Sequence, residues 1–199
     1  MSELPSIILI SPPSKKIGEI EMLSKFFDAG LMRYHLRKPD WTEDDLSEYL
    51  RQIPEEHLSK VVIHRKSNLL NEFPLAGYHH TSTESIKNVK GTQSRSLHKL
   101  SELKNLKDSL DYAFFGPVYS SISKKGYSPQ ISLSDIFDFF NSGKLNKLEK
   151  VPKIYAMITG LGYAFTDGGG FKRRVLRELV GFLMRRSLSC STGVFFQNP

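Results

Sequence analysis

The residues of this sequence best equipped for chemistry are cations and imidazoles that recur just behind short apolar runs. Arg37 follows Tyr34-His35-Leu36, Arg65 follows Ile63-His64, and His79-His80 follow Tyr78; Gly116-Pro117 lead into Ser121, Ser123 and Lys124. A guanidinium offers a planar fork matched to two phosphate oxygens, and an ammonium offers a mobile point charge. Arg37 and Lys124 therefore suit an anionic, phosphorylated small molecule, with the Ser121 and Ser123 hydroxyls completing its shell. His35 and His64 suit hydrogen bonding to the same ligand. The plainer alternative is that the cations are solvated loop charges and the histidines cap a core.

Imidazoles on neighbouring segments also raise a zinc site. His79 and His80 are consecutive, so in a strand they face opposite ways and cannot both enter one site. No cysteine or carboxylate at matching spacing joins them, and zinc is not expected.

The elements that must position these residues are read from the alternation of apolar runs with amphipathic stretches, which marks βα repetition and a parallel sheet. Strands are predicted at Ile7–Ile10, Met32–Leu36, Val61–His64, Leu75–His79, weakly at Val89–Gln93, and at Tyr112–Phe115 and Lys153–Met157. Helices are predicted over Ile17–Ala29 ending at Gly30, over the segment capped by Thr42 and stopped by Pro54, near Ser67–Glu72, over Ser94–Leu106 and over Ser132–Asn141. In such a fold the C-terminal strand ends converge on one mouth, and the candidates above make that mouth basic.

Composition bounds the rest. At 199 residues with 39% hydrophobic and 25% charged residues the chain suits one domain. A single cysteine, Cys190, excludes an internal disulfide framework and points to a reducing cytoplasm. The first residues read as a buried strand and not as a signal peptide, and no apolar run is long enough to span a membrane. Of the net charge of +7, residues 157–199 contribute 6 basic and 2 acidic side chains. No zinc-finger, RNP-like or recognition-helix pattern accompanies the basicity, so nucleic acid is not the expected partner.

Five segments resemble, in order and spacing, the thiamine-phosphate synthase/TenI family. LMRYHLRK is similar to its QLREK motif, VVIHRKSNLL to LIINDRVDLA, LAGYHHTSTE to ADGVHLGQxD, GTQSRSLHKL to GVSxHTxEEA, and DYAFFGPVYSSISKKGY to DYVGFGPVFxTxTKxD. The resemblance covers Ile7 to Ala156. It implies a TIM (β/α)8 barrel and the joining of hydroxymethylpyrimidine diphosphate to thiazole phosphate, giving thiamine phosphate and pyrophosphate with Mg²⁺ as cofactor. It places Arg37 on the diphosphate-binding Arg, Lys124 on the loop Lys, Ser121 and Ser123 on the loop threonines, and Glu84 on a metal-binding Asp. His35 replaces the family's Gln, Gln93 its Ser, and Pro39 its second phosphate-binding Lys. His64 and Arg65 occupy its Asn-Asp pair, so one metal ligand has become a cation. Arg95 stands where TenI-type thiazole tautomerases carry their His, which weakens that reading.

After Ala156 the resemblance stops: residues 157–199 lack the family's Gly-Gly-Ile strand end and glycine-rich eighth strand. Gly168-Gly169-Gly170 read as a linker or as a phosphate nest before a helix over Phe171–Arg186. The barrel is therefore expected with an incomplete or remodelled last βα unit, from a remodelled or frame-altered end. A missing eighth strand would leave strands one and seven with open edges that favour homo-oligomers. Two functions follow: a thiamine-phosphate synthase-like transferase, or a TenI-like non-catalytic or regulatory barrel binding a thiazole or pyrimidine phosphate. A third is an unrelated phosphate-binding βα protein.

Overall fold

The computed structural model describes residues 7–104, 110–116, 131, 132, 134, 135, 138, 142, 153–159 and 193–197. Eight parallel strands form a closed barrel in sequence order: β1 (Ile7–Ile10), β2 (Tyr34–Leu36), β3 (Val61–His64), β4 (Gly77–His80), β5 (Thr92–Leu97), β6 (Tyr112–Phe115), β7 (Lys153–Thr159) and β8 (Gly193–Gln197). β8 pairs with β7 through Val194 and Ala156, and with β1 through Val194 and Ile7. The last βα unit, expected to be incomplete or remodelled, thus supplies an eighth strand, and β1 and β7 pair on both sides. Its sequence, GVFFQ, carries a β-branched residue and two aromatics, which suit a pleated, buried surface. The proposed linker or nest at Gly168-Gly169-Gly170 and the helix over Phe171–Arg186 lie outside the described residues.

The helices between strands are α1 (Glu19–Asp28), α2 (Glu43–Arg51), α3 (Glu55–Leu58), α4 (Leu69–Glu72) and α5 (Leu100–Lys104). α2 begins as expected: the Thr42 hydroxyl accepts from the Asp45 N–H and the Asp45 carboxylate accepts from the Thr42 N–H, a reciprocal cap. The main core lies between this helical layer and the outward faces of β2 to β4, where Phe27, Leu46, Leu50, Leu36, Ile63 and Tyr78 are buried together. Beneath it, Glu19 accepts from Lys38 Nζ at 2.7 Å and from the Tyr34 and Tyr49 hydroxyls at 3.2 and 3.0 Å. Lys38, next to Arg37 in sequence, is therefore spent on a buried ion pair and does not face the mouth.

Two predicted elements are corrected. The fifth strand is not Val89–Gln93 but Thr92–Leu97, and the helix predicted from Ser94 begins only at Leu100. The segment SRSLHKLSELKNL has leucines at helical spacing, Leu97, Leu100 and Leu103, but its first residues also alternate. Pairing on both sides, Ser94 with His79 and with Tyr112, decides for the strand. Of the helix over Ser132–Asn141, Ser134, Asp135 and Asp138 are described and helical, with the Ser132 hydroxyl capping Asp135.

Candidate active site

The barrel axis is lined by polar side chains where such barrels usually stack Val, Ile and Leu. His35 of β2, His64 of β3, His79 of β4, Ser94 and Ser96 of β5 and Tyr112 of β6 meet there. Tyr112 Oη lies 2.6 Å from His35 Nε2, and His35 Nδ1 lies 2.8 Å from His64 Nε2. His79 places Nδ1 2.8 Å from Ser94 Oγ and Nε2 2.9 Å from Ser96 Oγ, and its ring stacks on His64 at 4.1 Å. Phe114 closes the layer, 4.8 Å from the His79 ring. His79 and His80 do face opposite ways: His80 Nε2 turns to Gln93 Oε1 at 3.0 Å on the other face of the sheet.

Burial dominates the ionisation of this layer, because a charged imidazole in a dry interior is poorly solvated. It pushes His35 and His64 well below the ordinary histidine range and His79 down to about 3, with nearby cationic side chains adding to the effect. The layer is neutral at physiological pH.

Above it, strand ends supply the mouth. Ser11, directly after β1, is buried, and its hydroxyl accepts from the Arg37 N–H at 2.8 Å and donates to the Arg37 carbonyl at 3.0 Å. That double bond fixes the backbone from which the half-buried Arg37 side chain projects. Arg65 and Lys66, directly after β3, adopt positive φ of 61° and 49°. Left-handed backbone costs a residue with a side chain about 1 kcal/mol or more. Arg65 reaches across to the Pro39 carbonyl at 3.2 Å. The charges of Arg37 and Arg65 both bear on His64. The structure thus brings Arg37, Arg65, His35 and His64 together, whereas Ser121, Ser123 and Lys124 lie outside the described residues.

Arg37→Ala is expected to weaken binding of a phosphorylated ligand by roughly 1.5–3 kcal/mol, the worth of a hydrogen bond to a charged group. Calorimetric titration with a thiazole phosphate checks it, and unchanged affinity would remove Arg37 from the site.

Gln93 is the second residue of β5, near the opposite end of the barrel from the mouth, and is bonded to His80; it is not in this cluster. Arg95 is in mid-strand, its Nε donating to the Thr81 carbonyl at 3.1 Å. The residue that does follow β5 is His98. Its Nδ1 is hydrogen-bonded to the carbonyl of Gly116, which directly follows β6. A carbonyl only accepts, so Nδ1 is the donor in this bond. The Glu102 carboxylate accepts from the His98 N–H at 2.6 Å and from the Lys99 N–H at 3.0 Å, anchoring the turn into α5. The sequence did not single out His98, because its segment was expected to be helical from Ser94.

Of the positions where the resemblance puts magnesium ligands, the described residues hold one carboxylate, Glu84. Glu84, the expected ligand, has Oε1 on the Tyr78 hydroxyl at 3.0 Å and on Lys87 at 2.8 Å, and Oε2 on the Thr81 N–H at 3.2 Å. Burial pushes this carboxyl up, yet the bonds from Lys87, Thr81 and Tyr78 outweigh it and hold it below its usual range. Both oxygens accept hydrogen bonds, and Arg65, a cation, stands where the resemblance puts the second ligand.

The chain resembles solved structures at low sequence identity. It is similar to the thiamine phosphate pyrophosphorylase of Bacteroides thetaiotaomicron, at 21% identity and a TM-score of 0.64 over 98% of this chain and 83% of the other. It is also similar to the one of Pyrococcus furiosus, at 11% identity and a TM-score of 0.61 over 96% and 84%. The fold is that of thiamine phosphate pyrophosphorylases. No protein-family model and no curated protein matches the sequence. Among the described residues no helix is long and apolar enough to cross a membrane.

Proposed function

We propose that this barrel binds a phosphorylated thiazole or pyrimidine precursor of thiamine at its mouth, as a TenI-like protein, with Arg37 and Arg65 holding the phosphate. His98 is its proton-transfer group. The observation that carries the reading is the His98–Gly116 bond, which fixes the ring through Nδ1 and leaves Nε2 to a substrate at the strand ends, where substrate sits in this fold. A base there takes a proton from one ring position of a thiazole and returns it at another, the step a tautomer change requires. Arg65, in place of a metal-binding carboxylate, supplies positive charge to the phosphate directly.

The second reading is the magnesium-dependent synthase, which the names of the two structural neighbours favour. It needs Glu84 to leave three hydrogen-bond donors. The readings part on one variant. In His98→Asn, interconversion of thiazole phosphate tautomers is expected to slow by about 10²-fold or more, with ligand affinity within twofold of wild type. An unchanged rate would remove His98 from the chemistry and leave the synthase reading standing.

A further inference from the structure

The polar layer of the barrel interior is larger than phosphate binding at the mouth requires. We propose that His35, His64 and His79 form a three-imidazole site for a divalent transition-metal ion of the zinc or cobalt type, with a fourth position left to water. The three residues stand on the consecutive strands β2, β3 and β4, and one ring nitrogen from each lies within 4.8 Å of the others. Three neutral imidazoles and an open position are a coordination set that zinc accepts.

Three features of the layer favour ligation. Each imidazole is neutral at physiological pH for the reasons given above, so each carries the lone pair a metal needs without first losing a charge. The non-ligating nitrogens are already oriented: Tyr112 Oη holds His35 Nε2 at 2.6 Å, and the Ser94 and Ser96 hydroxyls sit on the two nitrogens of His79 at 2.8 and 2.9 Å. Whichever nitrogen of His79 turns to the ion, the other keeps a serine, the kind of outer partner that fixes a ligating ring. Finally, His35 Nδ1 and His64 Nε2 are already 2.8 Å apart around one shared proton. Two nitrogens on a tetrahedral zinc stand about 3.3 Å apart, so a small opening replaces that proton by the ion. The His35 proton then moves to Nε2, which donates to the Tyr112 oxygen, and no net charge is created on the ring. The rearrangement required is a turn of His79 out of its stack on His64, where the planes are 24° apart, because a metal lies in the plane of each ring that binds it.

The site is tested without any phosphorylated ligand. Tag-free protein, stripped with EDTA and desalted, is titrated with cobalt(II) chloride alone while the visible absorption of four-coordinate cobalt is followed. The expected result is saturation at one ion per chain, displacement by zinc, and affinity reduced at least tenfold in His64→Gln and in His79→Gln. His57→Gln, outside the barrel and packed on Phe27, should titrate as wild type. Circular dichroism establishes which variants fold, and the wild-type titration decides even if neither does. Absence of the cobalt spectrum in folded wild-type protein, or equal binding in whichever of the two variants folds, overturns the site.

Discussion

Gly77→Ala is expected to cost at least about 3 kcal/mol and to leave little folded protein. Gly77 opens β4 opposite Thr92 of β5. A Cβ there would sit against the Thr92 carbonyl oxygen, and 2.6 Å from both its backbone nitrogen and its hydroxyl oxygen. The obstacle is main chain, which cannot rotate away as a side chain does. Next to it, Gly91 has φ of +81°, and a Cβ on it would meet the Ala76 carbonyl, so the start of β5 is tight from both sides. Relief requires β4 and β5 to separate, and with them Ser94 and Ser96 move from His79. Forcing extra volume into a packed interior costs typically 1–3 kcal/mol when side chains can yield, and more is expected against backbone. Urea denaturation of the variant measures it; a midpoint within error of wild type would mean that the two strands are not paired in this register.

The second large effect is on acid stability. A histidine whose folded pKa is depressed binds fewer protons in the folded than in the unfolded chain, so stability falls as pH drops below the unfolded value. For His79, with an ordinary value of 6.5 and about 3 in the fold, the loss begins near pH 6.5 and continues towards pH 3. It amounts to about 2 kcal/mol at pH 5, at 1.36 kcal/mol per unit. His35 and His64 are shifted the same way by the same burial and add to the loss, while ordinary carboxylates remain ionised down to pH 5. In EDTA, unfolding free energy measured at pH 7 and pH 5 is therefore expected to drop by more than about 2 kcal/mol. A flat profile would place the three rings in water and not on the barrel axis.

The sequence was informative where local chemistry and tertiary pairing agree. Val61–His64 and Tyr112–Phe115 are short apolar runs between turn signals, and both strands stand where they were predicted. Thr42 stands before a first turn rich in acidic residues, so it was legible as the N-cap, whereas the reciprocal bond from Asp45 was not. It was least informative where two periods overlap. In Ser94–Leu106 the helical spacing of leucines outweighed the alternation that β4 and β6 select, so the helix was expected from Ser94 and begins at Leu100. Glu84 shows a different limit: its type and position matched a metal ligand, but Tyr78, Thr81 and Lys87 had to be seen in space to show its oxygens occupied. The same holds for His79, whose company on the axis comes from strands β2, β3 and β5.

The most direct test of the proposed function is calorimetric titration of the wild-type protein with a thiazole phosphate, once in EDTA and once in excess Mg²⁺. Binding through Arg37 and Arg65 predicts saturation at one ligand per chain, with affinities within twofold of each other in the two buffers. Binding that vanishes in EDTA and returns with magnesium would contradict the account, and would make Glu84 a metal ligand after all.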